Sequence, residues 1–126
     1  MKKSIIQSSD APAPIGPYSQ AVLKQNTLYL SGQVAIDPTN GNLVMNTIEA
    51  ETHQVMKNLK AVLSAAGMDF SQVVKTTIFV KDLENFGRIN EVYGSYFEAD
   101  PPARETVEVS RLPKDVNVEI SCIAVN

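Results

Sequence analysis

The sequence predicts an α+β fold, a mixed sheet of about six strands with two helices packed on one face. Three observations carry this. Stretches 48–66 and 83–97 repeat apolar residues at helical spacing. Runs at 27–34, 73–81, 104–109 and 117–125 are β-branched and alternate with period two. Gly16-Pro17, Asp37-Pro38-Thr39-Asn40-Gly41 and Arg111-Leu112-Pro113-Lys114-Asp115 punctuate them as turns. With 126 residues, 44% hydrophobic and 20% charged, the chain is expected to form a single domain, 1–126, with a real core.

Taken in order, Ile5-Ile6-Gln7 reads as a short first strand. Residues 11–20 contain Pro12, Pro14 and Pro17, and such an extended segment, without a ladder of its own, lies across other elements. Gly16-Pro17 presents Tyr18 at the start of the next strand, either as a packed ring with a bonded hydroxyl or as a site residue. In 27–34, Leu28 and Leu30 face inward while Tyr29, Ser31 and Gln33 face the other way. Gly32 permits a bulge or a close backbone approach to a ligand.

Asn46 and Glu49 form a capping box and Gly67 a C-terminal stop. Between them Ile48, Val55, Met56, Leu59, Val62 and Leu63 line one side of a helix of roughly five turns. His53, the one histidine, falls on its polar side with no partner at matching spacing and reads as solvated. The 73–81 strand carries apolar groups on both faces and reads as central and covered on both sides. Asp82 caps the second helix, with Leu83, Phe86, Ile89, Tyr93 and Phe97 on one stripe. Asn90 lies beside that stripe, where its amide either holds a loop or supports a site.

Pro101-Pro102 forces a corner, and the chain leaves it as a strand. Arg104, Thr106 and Glu108 share one face of that strand, Glu105, Val107 and Val109 the other. Arg104 reads either as an anion clamp, its planar fork matching a carboxylate, or as a salt-bridged strand-end arginine. In the last strand Val118, Ile120, Cys122 and Ala124 line the core face and Glu119 stands opposite. The short link makes the last two strands antiparallel neighbours, so Arg104 and Glu119 both reach the face turned away from the helices. That face also carries Tyr29, Ile123 and Val125, and a half-apolar, half-charged face is best explained by a second copy of the chain. A small-molecule site at that junction follows.

Eleven basic against fourteen acidic side chains, without a Lys/Arg cluster, give a net charge of −3 and no footprint for nucleic acid. The apolar run after Met1-Lys2-Lys3 is too short for a signal segment, and no membrane-spanning run is expected. Cys122 is the single cysteine, so no internal disulfide forms and a reduced, cytoplasmic location is expected. Neither a zinc site nor a P-loop has residues to stand on.

Five marks together resemble the RidA (YjgF) family of reactive-imine deaminases, in its archetypal subgroup. They are Ile15-Gly16-Pro17-Tyr18-Ser19-Gln20-Ala21; Ser31-Gly32-Gln33; Val74-Lys75-Thr76-Thr77 with Val80-Lys81-Asp82-Leu83; Asn90-Glu91-Val92-Tyr93; and Pro102-Ala103-Arg104 through Val107-Glu108-Val109 and Leu112-Pro113-Lys114-Asp115-Val116 to Val118-Glu119-Ile120. The match covers nearly the whole chain in register. The resemblance implies a chorismate-mutase-like subunit, a homotrimer with three intersubunit sites, and no cofactor or metal. It also implies hydrolysis of 2-iminobutanoate and 2-iminopropanoate, the products of PLP-dependent dehydratases, to 2-keto acids and ammonia. Arg104 would hold the substrate carboxylate. Glu119 would activate water and help protonate the leaving nitrogen. Tyr18, Ser31, Gly32 and Thr106 would line the pocket, and Asn90 would support it.

Many relatives carry serine or threonine after the arginine and often cysteine next, where this chain has Glu105 and Thr106. Strand alternation turns Glu105 away from the pocket; turned inward, it would repel an anionic substrate. Two further readings stand beside the hydrolase. One is a non-enzymatic trimer binding 2-keto acids or other small carboxylates, with a regulatory or chaperone-like role. The other is a ribonuclease, which lacks a basic groove and a histidine pair.

Overall fold

The computed structural model describes residues 2–126. Six strands form one mixed sheet: β1 (Ser4–Ile6), β2 (Ala21–Lys24), β3 (Thr27–Gln33), β4 (Val73–Val80), β5 (Ala103–Glu108) and β6 (Val118–Val125). Their order is β1-β2-β3-β6-β4-β5, and every neighbouring pair is antiparallel except β4 and β5, which run parallel. Two helices, α1 (Ile48–Ala65) and α2 (Phe86–Gly94), cover one face. The core between the layers joins Leu28, Ile78 and Ile120 of the sheet to Val55, Leu59 and Leu63 of α1 and Ile89 of α2, all essentially inaccessible. Each such side chain contributes about 1.5–3 kcal/mol by leaving water.

The helix ends differ slightly from expectation. Thr47, not Asn46, is the N-cap of α1, its hydroxyl accepting from Ala50 N–H at 3.0 Å. Glu49 does not reach back to close a box, because both its oxygens are held by Arg88 at 2.6 and 2.8 Å. At the other end Gly67 takes φ +71°, and Gly67 and Met68 N–H donate to the Ser64 and Leu63 carbonyls, each at 2.9 Å. Asp82 caps a short 3₁₀ turn, Leu83–Asn85, through Glu84 N–H at 2.9 Å, and α2 starts only after it. Leu83 therefore leaves the apolar stripe and is about half exposed.

Two expectations about the sheet are corrected. The last two strands are not neighbours: β4 lies between β5 and β6. Val109 N–H still pairs with Val80 O, and Lys81 N–H pairs with Asn117 O, so the intervening link passes around the end of β4. Leu112 and Val116 bury themselves along the way, which makes this a packed crossing rather than a hairpin. β4 is also not covered on both faces within one chain. Ile78 and Val80 are sealed under the helices, while Val74 is 48% exposed.

One charged side chain, which no pattern in the chain singles out, is fully buried. Glu51 of α1 accepts from Asn117 N–H and from the Asn117 amide, both at 2.8 Å, and from Val118 N–H at 3.3 Å. It ties the first helix to the start of β6, two residues before Glu119.

Candidate active site

A cavity of about 560 Å³ opens beside the sheet, between the proline-rich arm, the end of β3, the Pro113-Lys114 turn and Glu119 of β6. The arm is fixed by Gln20. Its amide oxygen accepts from Ser8 N–H at 2.6 Å, and its nitrogen donates to Ser8 O and Pro12 O at 3.1 and 2.9 Å. A buried amide satisfied this fully clamps a segment that has no ladder. β2 begins only at Ala21, so Tyr18 sits in the arm rather than in a strand, half exposed at the cavity wall.

The floor comes from a β-bulge. Leu30 pairs with Cys122 and Gln33 with Ile120, so β3 carries one extra residue against β6. The bulge returns Gln33 to the helix side, where it is buried, although simple alternation places it with Tyr29 and Ser31. At Gly32 the backbone approaches Glu119 so closely that an added Cβ would stand 2.0 Å from Oε2. Ser31 donates its hydroxyl proton to Ser19 O at 2.6 Å, leaving its lone pairs for the cavity. Glu119 stands on the open face, half-buried, and the loss of water around its carboxyl pushes its pKa up.

Arg104 lies elsewhere. It is the second residue of β5, opposite Thr76, and its side chain turns toward α2, not toward the open face as expected. Nη1 donates to Asn90 Oδ1 at 2.6 Å, and the guanidinium lies 5.1 Å from the Phe86 ring centre and 5.2 Å from that of Tyr93. Tyr93 is itself anchored by a 2.7 Å bond between its hydroxyl and that of Thr76. Thr106, half-buried, follows on β5 opposite Ile78. Glu105 turns the other way, accepting from Lys75 Nζ and Thr77 Oγ1 at 2.9 Å each, and these bonds hold its carboxyl below the usual range.

One chain therefore brings Tyr18, Ser31, Gly32 and Glu119 to a single cavity, and places Arg104, Asn90 and Thr106 across the sheet, two strands from β6. The residues that sequence reasoning missed are Gln20, Lys114 and the Phe86–Tyr93 platform. Gln20 closes the proline arm and Lys114 follows a proline in a tight turn, but neither position carries a periodic signal. No group of three or more His, Cys, Asp or Glu with metal-binding geometry occurs among the described residues. No described helix is long and apolar enough to cross a membrane. His53 bonds Tyr96 at 2.8 Å, outside the cavity.

The chain is a two-layer α+β domain that seats an acid against a glycine at a bulge and holds a guanidinium at the sheet edge. The chain belongs to the endoribonuclease L-PSP family, the YjgF/RidA family, whose model matches residues 8–126. It is 48% identical over 123 residues to rat 2-iminobutanoate/2-iminopropanoate deaminase, covering 98% of this chain and 90% of the relative. It is 50% identical over 122 residues to a RutC family protein of Pyrococcus horikoshii, covering 97% of each. Among solved structures, that of E. coli TdcF with bound serine superposes with a TM-score of 0.94 at 39% identity over 98% of both chains.

Proposed function

We propose that this protein hydrolyses small 2-imino acids, 2-iminopropanoate and 2-iminobutanoate, to the 2-keto acid and ammonia, in sites shared between subunits of a homotrimer. The observation that carries the reading is Glu119: a half-buried carboxyl with a raised pKa, seated against Gly32 in a cavity large enough for such a substrate. Burial moves an acid toward the range in which it both accepts and returns a proton near neutral pH. The apolar side chains left on the open face, Tyr29, Val107 and Val125, support a second copy packing there. Such a copy would bring its own Arg104 to the Glu119 cavity, the meeting that a single chain does not make.

In this reading Arg104 binds the substrate carboxylate bidentately, and Asn90, Phe86 and Tyr93 keep its fork from swinging. Water attacks C2 as Glu119 takes its proton and passes it to the nitrogen, giving a carbinolamine. Glu119 then takes the carbinolamine hydroxyl proton and delivers it to the nitrogen as C=O forms and the C–N bond breaks, releasing ammonia and the keto acid. Ser31, whose proton is spent on Ser19 O, accepts from the substrate N–H. Thr106 and Tyr18 complete the polar lining.

The test is ammonia release in a coupled assay with a serine or threonine dehydratase as imine source. Arg104→Ala and Glu119→Gln are expected to lower kcat/KM by about 10²–10⁴-fold, the range for removing an acid/base or orienting group. Full activity in either variant refutes the assignment. The serine held by TdcF favours a second reading, carboxylate binding without turnover. Arg104-dependent binding of pyruvate by calorimetry, with ammonia release no faster than in buffer, would establish it instead.

A further inference from the structure

The turn Pro113–Asp115 holds two consecutive residues in left-handed backbone, Lys114 and Asp115, each at φ +57°. Asp tolerates this region, but lysine gains nothing from it, and glycine would adopt it without steric cost. Asp115 is held in place by Lys81 Nζ at 3.1 Å and by Arg111 Nε at 3.7 Å, and buried Leu112 and Val116 pin the turn on either side. The surroundings thus enforce a conformation that lysine itself disfavours. Its result is that Lys114 lines the Glu119 cavity as the one cation among the described residues that do so. Its ammonium forms no hydrogen bond or ion pair with the described residues. The cavity's other charge is Glu119, which repels any anion entering it.

We propose that Lys114 is a substrate-binding residue. Its ammonium offsets the charge of Glu119 and draws small carboxylates into the cavity, and the left-handed turn is retained to aim it there. This rests on the hydrolase reading for the identity of the substrate, but not for the capture of a carboxylate. Backbone strain at a non-glycine residue that faces a cavity is where a functional constraint shows itself. A single cation at a mouth acts mainly on encounter and ground-state binding, so it should change kcat/KM and leave kcat nearly untouched.

The experiment compares wild type with Lys114→Gly, Lys114→Arg and Lys114→Glu by imine hydrolysis, pyruvate calorimetry and thermal melting, each at low and high salt. Lys114→Gly is expected to melt no lower than wild type, because glycine relieves the turn, yet to lose about 5-fold in kcat/KM and in pyruvate affinity at low salt. Lys114→Glu is expected to lose about 20-fold or more, Lys114→Arg to stay within about 2-fold, and high salt to shrink every difference. Unchanged kcat/KM and pyruvate affinity in Lys114→Gly and Lys114→Glu overturn the proposal, as does a Lys114→Gly protein whose only defect is lost stability. If wild type binds pyruvate without turning over imines, the hydrolase reading fails, and a salt-sensitive loss of binding in Lys114→Gly still supports capture. A wild type that does neither overturns both.

Discussion

Gly32→Ala is the sharpest test of how the acid is held. A Cβ there would lie 2.0 Å from Glu119 Oε2, 2.9 Å from Cδ and 3.1 Å from Cγ. Ordinary contact begins near 3.4 Å, so the carboxyl oxygen must retreat by roughly 1.4 Å, and a misplacement of about 1 Å costs on the order of 10²-fold in rate. The expected loss in kcat/KM is therefore about 100-fold, equivalent to about 2.7 kcal/mol at 1.36 kcal/mol per decade. Stability should barely fall, because what must move is the far end of a flexible side chain, and alanine restricts the unfolded chain more than glycine does. Steady-state ammonia release measures the first quantity and calorimetric melting the second. Wild-type kcat/KM in Gly32→Ala would show that the seat of Glu119 is irrelevant to turnover. A collapse in melting temperature would show that the glycine serves the bulge and not the acid.

Three other outcomes follow from described contacts. Glu51→Leu leaves the buried donors of Asn117 and Val118 without an acceptor and should cost about 3 kcal/mol or more in urea unfolding; a cost under about 1 kcal/mol refutes the anchor. Asn90→Ala removes one bond from Arg104 at an exposed position, so pyruvate affinity should drop about 3–10-fold with little change in the unfolding midpoint, and unaltered affinity would strip Asn90 of any orienting role. Burial raises the Glu119 pKa above its unfolded value, so the folded state favours the protonated acid, and that contribution is complete below the ordinary glutamate range and lost as pH rises through the folded value. Glu119→Gln should therefore gain stability relative to wild type as pH is raised from 3 toward neutrality, which a pH series of urea melts reads directly; a constant difference across the series contradicts the shift.

Much of this molecule is legible in its residues. The apolar stripe from Ile48 to Leu63, the glycine stop at Gly67 and the alternation of Val118 to Ala124 state their burial directly, because each depends on local periodicity. What escapes is set by pairing between distant strands. Alternation puts Gln33 beside Tyr29, but one extra residue at Ser31-Gly32 reverses it, and the sequence shows only that glycine permits such a bulge. A short link normally joins antiparallel neighbours, but here it passes the end of β4 with Leu112 and Val116 buried, so β5 pairs in parallel with β4, and the Arg104 side chain meets α2. Glu51 looks like any acid in a helix's first turn, and its burial depends on donors 66 residues away. Site residues are therefore easier to nominate from sequence than to orient.

The sheet order also has a consequence for biosynthesis. β6 is translated after the five other strands of this sheet, yet it sits inside the sheet and supplies both ladders between β3 and β4. Until it emerges from the ribosome, at roughly 5–20 residues per second, the two earlier strands have no partner on their inner edges. A nascent chain halted before Val118 therefore displays two open, apolar strand edges, and it needs shielding from its neighbours rather than time to fold.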